Sequence, residues 1–266
     1  MGCTQRIKQI SKRVLYIKEK RGKQMYTFNG RIRYSEIDHR DQLTLPALIN
    51  YFQDCSTFHS EDVGMGHKEL MAKNRAWILS YWQVEITRYP KLCERVQVGT
   101  FATDFQKFLG YRNFLMKTEE GEELAKAYAV WVYMDMMKGR PVRLPKEEAD
   151  AYGIEPALDM KIESRKVAVP ERLEERESFP VRKHHIDTNE HVNNCQYVQM
   201  AMDYLPRDLE IRRLRVEYKK SAVLGDIIYP KVAAEDGVWT VVLENEENQV
   251  YAVIEVRGSL PQEEAL

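Results

Sequence analysis

The chain has 266 residues, of which 44% are hydrophobic and 30% are charged, and its formal net charge is −1. These values are typical of a soluble globular protein whose core is large enough to fold without disulfides or a structural metal. Four cysteines without a C-x-x-C pair indicate reduced thiols and predict a cytoplasmic location. No apolar run reaches the ~18–20 residues that span a bilayer, which argues against stable membrane insertion.

The first 24 residues are strongly basic, with eight Lys or Arg against one Glu. Their net charge of +7 leaves −8 on the remainder of the chain, because the total is −1. Apolar residues at helical spacing would permit an amphipathic helix here. We expect instead a disordered extension, residues 1–24, outside the folded part of the chain.

From Met25 onward the chain repeats one pattern twice. Residues 33–52 (RYSEIDHRDQLTLPALINYF) align with residues 182–201 (RKHHIDTNEHVNNCQYVQMA) at an offset of 149. Each copy leads into apolar residues spaced by three and four, which predict one long buried helix per repeat. The second run stops at Pro206.

Strand-like segments follow each predicted helix. Residues 77–101 resemble residues 213–232, and residues 111–135 resemble residues 239–258, where an acidic turn separates two β-rich runs. Each repeat therefore predicts a short strand, a helix and about four antiparallel strands. The predicted domains are an N-terminal repeat at 25–145, a polar linker at 146–175 and a C-terminal repeat at 176–260.

A single repeat would leave one side of its helix uncovered. Two repeats can join their sheets into one surface that wraps both helices. The predicted fold class is therefore α+β, with an antiparallel sheet around long central helices. Because the two repeats form a pseudo-dimer within one chain, either a monomer or a homodimer fits this architecture.

The most distinctive stretch is HHIDTNEHVNN, which precedes the second predicted helix. It places Asp187, Asn189 and His191 at alternate positions, and an extended backbone would point these side chains in one direction. A carboxylate, an amide and an imidazole together can supply a base, a hydrogen-bond donor and a proton shuttle. The motif is therefore a candidate catalytic site.

The matching turn of the first repeat lacks this combination. There, EIDHRDQLT keeps Asp38 but has Arg40 and Gln42 where the second repeat has Asn and His. One site per chain is therefore expected, with the first repeat adapted to hold substrate. Helix capping is the structural alternative, because Asp187 and Asn193 are both residue types preferred at helix N-caps.

Three stretches together identify a family. The run D-x-N-x-H-V-N-N, with WILSYWQVEITRYP at residues 77–90 and AYAVWVYMD at residues 127–135, resembles the acyl-acyl carrier protein thioesterases of plant plastids and bacteria. The resemblance extends from Met25 to about Arg257. It implies a double hotdog fold, and it implies an enzyme that hydrolyses acyl carrier protein thioesters to free fatty acids, terminating fatty acid synthesis.

The resemblance also implies roles for individual residues. It places catalysis on Asp187, Asn189 and His191, with no metal or organic cofactor. Asp187 would act as a general base on water or attack the thioester directly. Backbone N–H groups of residues 192–194, at the helix N-terminus, are the expected oxyanion donors.

One departure from the family pattern concerns EYKKSA, where Ser221 and Ala222 stand in place of a common Glu-Cys pair. A cysteine nucleophile at that position is therefore excluded, and Cys195 is expected to be a core residue. The predicted substrate-binding residues are Asn193, Asn194, Trp77 and Ser221. The aromatic residues that could line an acyl tunnel are Trp77, Trp82, Phe101, Phe105, Phe108 and Trp131.

Histidines outside the motif are expected to be structural. His39, His59 and His67 are too dispersed for a metal signature. His184 and His185 are predicted to lie in a strand, with one of them facing solvent. No metal site is predicted.

The carrier protein of this family is acidic, so its docking face on the enzyme should be basic. The candidate docking residues, all in EIRRLRVEYKK, are Arg212, Arg213, Lys219 and Lys220. Two alternatives remain open at this point: a thioesterase acting on acyl-coenzyme A, and a non-catalytic acyl-binding module. No nucleotide-binding or nucleic-acid-binding motif is present.

Overall fold

The structure, a computed structural model, describes residues 25–260. These residues fold into helices and one extended sheet. The basic segment 1–24 lies outside the described residues. The helices are α1 (Leu45–Asp62), α2 (His67–Ala72), α3 (Lys146–Tyr152) and α4 (Asn194–Met202). The strands are β1 (Tyr26–Arg31), β2 (Arg75–Ile86), β3 (Arg95–Gln106), β4 (Leu109–Thr118), β5 (Glu123–Asp135), β6 (Arg140–Pro141), β7 (Glu174–Glu175), β8 (Phe179–Pro180), β9 (Glu210–Tyr218), β10 (Ile227–Glu235), β11 (Val238–Glu244) and β12 (Val250–Ser259).

The strands of residues 25–260 form one twelve-stranded sheet in the order β1-β3-β4-β5-β2-β9-β12-β11-β10-β7, with β6 beside β5 and β8 beside β10. Every strand pair is antiparallel. The order of the first repeat is mirrored in the second, and the two meet where β2 pairs with β9. The predicted α+β double hotdog is confirmed, with four antiparallel strands after the helix of each repeat. Three of them form a meander, and the first, β2 or β9, pairs with the last, β5 or β12.

The junction of the two repeats lies on a pseudo-two-fold axis. Strand β2 pairs with β9 antiparallel, and Gln83 lies opposite Arg215. These two residues are also equivalent in the alignment of the repeats, which has an offset of 132 here. Equivalent residues that face one another are the mark of an isologous interface. The internal pseudo-dimer is therefore a continuous sheet.

The two central helices begin at equivalent positions. Helix α1 follows the N-cap Thr44, and α4 follows the N-cap Asn193, at the predicted offset of 149. Cys195, in the first turn of α4, is 1% exposed and belongs to the core, as predicted. Its Sγ lies 3.1 Å from the carbonyl oxygen of Pro46, its equivalent in α1. The helices therefore contact each other near the same axis.

The second helix is shorter than predicted, with 9 residues against 18 in α1. It ends at Met202, although the apolar spacing continues to Leu205. Pro206 disfavours helical dihedrals at the preceding residue and has no N–H to bond the carbonyl of Met202, so the last predicted turn does not form. No helix in residues 25–260 has the length and apolar content needed to cross a membrane.

The segment predicted to be a linker packs against the folded repeats. It contains α3 and β7, and Tyr152 at the end of α3 is 8% exposed. Further along, the amide of Gln83 donates to the carbonyl of Lys161 at 2.9 Å and accepts from the N–H of Glu163 at 3.0 Å. Because side chains alternate along a strand, this segment covers the sheet face opposite α1.

Gly258 occupies a crowded bulge, and its substitution should destabilise the fold. The register between β12 and β9 shifts at Arg257 and Gly258, and a Cβ on Gly258 would lie 2.3 Å from the carbonyl oxygen of Glu210. Gly258→Ala should lower the free energy of unfolding by about 1–3 kcal/mol, because paired backbone cannot move aside without strain. Urea denaturation checks this, with the exposed neighbour Ser259→Ala as a control expected within about 0.5 kcal/mol of the parent. Equal stability of the two variants would contradict the prediction.

Candidate functional site

The motif residues Asp187, Asn189 and His191 lie in a tight turn. Asp187 accepts the N–H of Asn189 on Oδ1 at 2.8 Å, and its own N–H donates to the carbonyl of His191 at 2.8 Å. Glu190 has a φ of 60°, a left-handed conformation that reverses the chain direction. The predicted extended backbone, with all three side chains pointing one way, is therefore wrong.

The turns of the two repeats differ in how their aspartates are bonded. Arg40 donates to Oδ2 of Asp38 through Nε and Nη2, at 3.0 and 2.9 Å, and Oδ1 accepts the N–H groups of Arg40 and Gln42 at 2.8 and 3.2 Å. Burial alone would raise the pKa of Asp38, but these hydrogen bonds outweigh it and lower the pKa. In contrast, Oδ2 of Asp187 has no hydrogen-bond partner among residues 25–260. Only the second repeat leaves a carboxylate oxygen available.

A cavity of about 430 Å³ lies in the N-terminal repeat, enclosed by α1, α2, α3 and strands β2–β5. The motif turn of the second repeat completes its wall with Thr188, Asn189 and Glu190. These three residues are exposed, so this part of the wall faces solvent. The principal apolar lining residues are Met65, Leu70, Trp77, Phe105, Trp131 and Tyr152. The cavity therefore connects an apolar chamber with the turn that carries Asn189.

Half of the predicted tunnel aromatics line this cavity. The three that do so are Trp77, Phe105 and Trp131. Trp82 is fully buried in the main core, and Phe101 and Phe108 are not lining residues. Phe101 lies on the opposite face of β3 from Ala102, which does line the cavity, because successive side chains of a strand alternate.

The N-terminus of α4 has fewer available N–H groups than predicted. The amides of Val192 and Asn193 each donate to a backbone carbonyl at 2.9 Å. The side chain of Asn193 accepts the N–H of Cys195 at 2.9 Å, which confirms the capping alternative for this residue. Among the described residues, the N–H of Asn194 has no acceptor. The predicted set of oxyanion donors therefore reduces to this one amide.

Ser221 does not lie where it was predicted, and the histidine pair lies in a turn, although one of the two histidines faces solvent as predicted. Ser221 is exposed and is not among the cavity-lining residues, whereas Ala222 is fully buried beneath it. His184 and His185 lie in a 3₁₀ turn rather than a strand. His184 is exposed and His185 is buried, where its Nδ1 accepts the N–H of Arg182 at 3.0 Å.

No group of three or more His, Cys, Asp or Glu side chains in residues 25–260 could hold a metal ion.

The four basic residues predicted to dock an acidic partner are individually paired. Their partners are Glu210 for Arg212, Glu163 for Arg213, Glu217 for Lys219 and Gln249 for Lys220. The register between β9 and β12 shifts at Arg212, which is exposed, whereas Arg213 is only partly exposed. The predicted docking residues therefore do not form one continuous, unpaired basic surface.

The cavity residues that the sequence patterns missed include Arg112 and Tyr152. Arg112 stands inside the β-rich run GYRNFLM, and a charged residue in such a run was the available signal. Tyr152 gives no local signal, because it lies in the segment predicted to be a linker. Its burial depends on contacts with Trp77 and Phe105, whose rings lie 6.5 and 5.9 Å away.

Comparison with protein-family models matches the chain twice. Residues 23–152 match the acyl-ACP thioesterase N-terminal domain, and residues 169–259 match the acyl-ACP thioesterase C-terminal domain. The two matches follow the two structural repeats. The first of them includes α3, in agreement with the packing of Tyr152 against the first repeat.

Curated relatives include the chloroplastic palmitoyl-acyl carrier protein thioesterase of Gossypium hirsutum, 25% identical over 232 residues, 80% of this chain and 55% of the relative. The chloroplastic oleoyl-acyl carrier protein thioesterase 2 of Arabidopsis thaliana is 22% identical over 219 residues, covering 74% of this chain and 59% of the relative. The chain thus spans about half the length of the curated relatives it matches.

Solved structures with the same fold include an acyl-ACP thioesterase from Bacteroides thetaiotaomicron, with a TM-score of 0.80 and 22% identity over 88% of this chain and 98% of that chain. The 12:0-ACP thioesterase from Umbellularia californica has a TM-score of 0.78 and 18% identity, covering 90% and 99% of the two chains. At this level of identity the similarity shows a shared fold.

Proposed function

This chain belongs to the acyl-ACP thioesterase family, and from that premise we propose that it hydrolyses fatty acyl-acyl carrier protein to free fatty acid and carrier protein, ending fatty acid synthesis. The observation that carries the proposal is the turn at Asp187. Its Oδ2 has no partner among the described residues, and Asn189 in the same turn lines an apolar cavity of about 430 Å³. Asp187 and His191 do not themselves line the cavity, but Asn189 in the same turn does. A carboxylate in a turn that borders an apolar cavity suits a substrate with a reacting thioester and a long apolar acyl chain.

The acyl chain would occupy the cavity. Each methylene transferred from water to an apolar wall contributes about 0.8 kcal/mol, so the chain supplies binding energy away from the reacting bond. That energy can hold the thioester at the solvent-facing part of the wall, near Asn189. Because the carrier protein cannot enter the cavity, its pantetheine arm would approach from the exposed side of residues 188–190.

Asp187 supplies the reacting oxygen in this proposal. Its Oδ1 is fixed by the N–H of Asn189, which orients the carboxylate and leaves Oδ2 to act. Oδ2 can take a proton from an attacking water, or it can attack the carbonyl carbon to form a mixed anhydride that water then opens. Both routes need the carboxylate to be ionised and unpaired, which is the condition that Asp38 does not meet.

The remaining polar groups would stabilise charge and move the proton. The side-chain amide of Asn189 and the N–H of Asn194 are the available donors for the carbonyl oxygen as it becomes negative. His191 would return a proton to the departing sulfur, because an imidazole can act as a general acid. A thiolate leaves readily, so this last contribution is the smallest.

We further propose that the protein acts in a reducing, cytoplasmic compartment and needs no second subunit for its site. Cys55, Cys93 and Cys195 are free thiols, which suits such a compartment. The cavity and the motif turn come from different repeats of one chain, and the pairing of β2 with β9 joins those repeats. A monomer would therefore contain a whole site.

Thiol release from matched substrates tests the function. Acyl-acyl carrier protein and acyl-coenzyme A thioesters of the same chain length are compared at low and high salt. We expect a higher kcat/KM for the carrier-protein substrate, and we expect that advantage to shrink at high salt because docking to an acidic partner is electrostatic. Equal turnover of both substrates at all salt concentrations would assign an acyl-coenzyme A thioesterase. Acyl binding without turnover would assign a binding module.

A further inference from the structure

Three exposed methionines lie at the edge of the cavity. Met71 and Met136 line it and are 59% and 45% exposed, and Met137, the next residue of the chain, is 77% exposed. The N–H of Met136 donates to the carbonyl of Asn74 at 3.0 Å, and the N–H of Asn74 donates to the carbonyl of Met71 at 2.9 Å, so these segments adjoin. Methionine is among the residue types most often buried, so an exposed group of them beside a cavity indicates a surface that contacts a partner.

The turn that carries Met136 and Met137 is held in one conformation. It joins β5 to β6, and Oδ1 of Asp135 accepts the N–H groups of Met137 and Lys138 at 3.1 and 3.0 Å. Arg75 lies 3.1 Å from the other oxygen of Asp135. An ordered turn therefore presents the side chains of Met137 and Lys138 to solvent, which lowers the entropy that binding a partner would cost.

Four exposed cations lie beside these methionines and form no ion pair within residues 25–260. Lys138 and Arg140 lie on the β5–β6 hairpin. Lys107 lies in the turn between β3 and β4, and Arg143 follows β6. The N–H of Leu144 donates to the carbonyl of Lys107 at 2.8 Å, which brings the two turns together. This set differs from the basic residues of β9 and of the loop after it, each of which already has a partner.

The second repeat shows that the fold does not require this charge. Its β10–β11 turn is equivalent to the β3–β4 turn, and the first residue of each turn is left-handed, with a φ of 57° at Lys107 and 49° at Asp236. Where the first repeat has Gln106 before this residue, the second has Glu235. The equivalent turns therefore carry opposite charges, and the basic turn belongs to the repeat that contains the cavity.

These residues together are named the mouth surface, which consists of Met71, Lys107, residues 136–138, Arg140 and Arg143. We propose that the acidic carrier protein docks on the mouth surface. Its carboxylates pair with the four cations, and its apolar side chains pack against the methionines. Met71 and Met136 line the same cavity as Asn189, so a carrier seated there can pass its acyl chain into that cavity. The inference rests on the proposed function for the choice of partner, and it adds the surface that recognises this partner.

Two other occupants fit the charges of the mouth surface less well. A second copy of this chain in a two-fold contact would place the surface against itself, so like charges would face each other. An anionic bilayer is planar and would also meet the exposed carboxylates of Glu69 and Glu190, on a chain that carries −8 outside its first 24 residues. A small acidic domain can contact the mouth surface alone.

Binding of the carrier protein without turnover tests the surface directly. Holo carrier protein, which bears the pantetheine arm but no acyl chain, is titrated by calorimetry into the parent and into the double variant Lys138→Glu/Arg140→Glu. We expect the Kd of the variant to rise at least about tenfold at low salt, and its salt dependence to become shallower, because two attractive charges become repulsive. Binding through this surface supports the proposal even if no thioester is hydrolysed. A parent that does not bind the carrier, or a Kd unchanged in the variant, would overturn it.

The basic residues after β9 provide a matched control. Lys219→Glu/Lys220→Glu makes the same change in net charge at exposed positions outside the mouth surface. We expect its Kd for the carrier to stay within about twofold of the parent, because only charges close to the partner contribute strongly at moderate salt. Equal losses of affinity in the two double variants would overturn the proposal, since net charge rather than the mouth surface would then control binding.

A second pair of variants separates apolar contact from charge. Met137→Ser should raise the Kd for the carrier at least about threefold, because apolar area is no longer buried, and should leave the salt dependence unchanged. Leu224→Ser removes another exposed apolar side chain, in the second repeat, and should bind like the parent. Equal affinities of Met137→Ser and Leu224→Ser would overturn the assignment of the methionines to the docking surface.

Turnover locates the effect at docking rather than at the reacting bond. The kcat/KM for acyl-carrier protein is divided by that for the N-acetylcysteamine thioester of the same acyl chain, which has no carrier to dock. We expect this ratio to fall at least about tenfold in Lys138→Glu/Arg140→Glu, mainly through KM. Equal falls for both substrates would place the defect in the cavity and overturn the proposal. All of these positions are exposed, so each variant should unfold within a few degrees of the parent.

Two further measurements distinguish the other occupants. Flotation uses vesicles of phosphatidylcholine and phosphatidylglycerol, and sedimentation measures the oligomeric state of the parent and of Met137→Ser. We expect no vesicle binding that depends on Lys138 and Arg140, and no change of oligomeric state. Vesicle binding that is lost in the charge variant while carrier binding persists would assign a lipid surface. A parent dimer that becomes monomeric in Met137→Ser would assign a contact between copies, and either result would overturn the proposal.

Discussion

Asp187→Asn should lower kcat for thioester hydrolysis by about 10²–10⁴-fold, the range expected when a general base or nucleophile is removed. The amide keeps an oxygen that can accept the N–H of Asn189, so the turn should keep its shape. What the variant loses is the negative charge on Oδ2, which has no partner among residues 25–260. Steady-state kinetics with the preferred substrate, alongside circular dichroism and thermal unfolding, measure this effect on folded protein.

The first repeat provides a matched control for that variant. Asp38→Asn makes the same chemical change at the equivalent turn, where Arg40 already donates two hydrogen bonds to the carboxylate. We expect its kcat to remain within about twofold of the parent, with a small loss of stability because a charge-assisted hydrogen bond is weakened. Comparable losses of kcat in both variants would contradict a single site at Asp187. A kcat for Asp187→Asn within tenfold of the parent would show that another group reacts.

The architecture was predictable because its signals are local and periodic. The offset of 149 aligned Thr44 with Asn193, and both proved to be N-caps. It also aligned the isolated bridge between Ile37 and Leu43 with the one between Ile186 and Val192. Capping, helical spacing and hairpin turns depend on neighbours along the chain, so aligning the two copies located them correctly.

The geometry of the candidate site was less predictable, because it depends on one backbone dihedral and on contacts between distant segments. The alternation of Asp187, Asn189 and His191 suggested an extended strand, but the left-handed Glu190 folds the segment into a turn. Side-chain spacing says nothing about such a reversal. The identity of the motif residues was visible in the sequence, whereas their relative orientation was not.

The cavity wall was also difficult to predict from the sequence, because it too depends on contacts between distant segments. Arg112 and Tyr152 meet because α3 folds back over the ends of β3 and β4, and their separation of 40 residues hides that contact from any local pattern. The sequence shows that a charged residue stands in a β-rich run, but it does not show which side chains contact that residue.

The largest loss of stability is expected at the junction of the repeats, from Arg215→Met. The side chain of Arg215 is 6% exposed and lies 3.2 Å from Glu255 and 3.1 Å from Glu163. It also donates to the hydroxyl of Tyr81 at 3.1 Å and to the carbonyl of Ser164 at 2.7 Å. Removing it leaves Glu255 buried with one half-exposed partner, Arg257, so the free energy of unfolding should fall by about 3–5 kcal/mol.

Two further variants separate loss of the ion pair from loss of packing. Adding Glu255→Met to Arg215→Met should recover most of the stability, because apolar residues of similar volume can replace a buried ion pair at little cost. Arg257→Met, which removes only the half-exposed partner of Glu255, should cost less than about 1 kcal/mol. Urea denaturation of the three proteins tests this. A double variant as unstable as Arg215→Met would mean that the hydrogen bonds to Tyr81 and Ser164, rather than the charge pair, hold the segment before β7 against the junction.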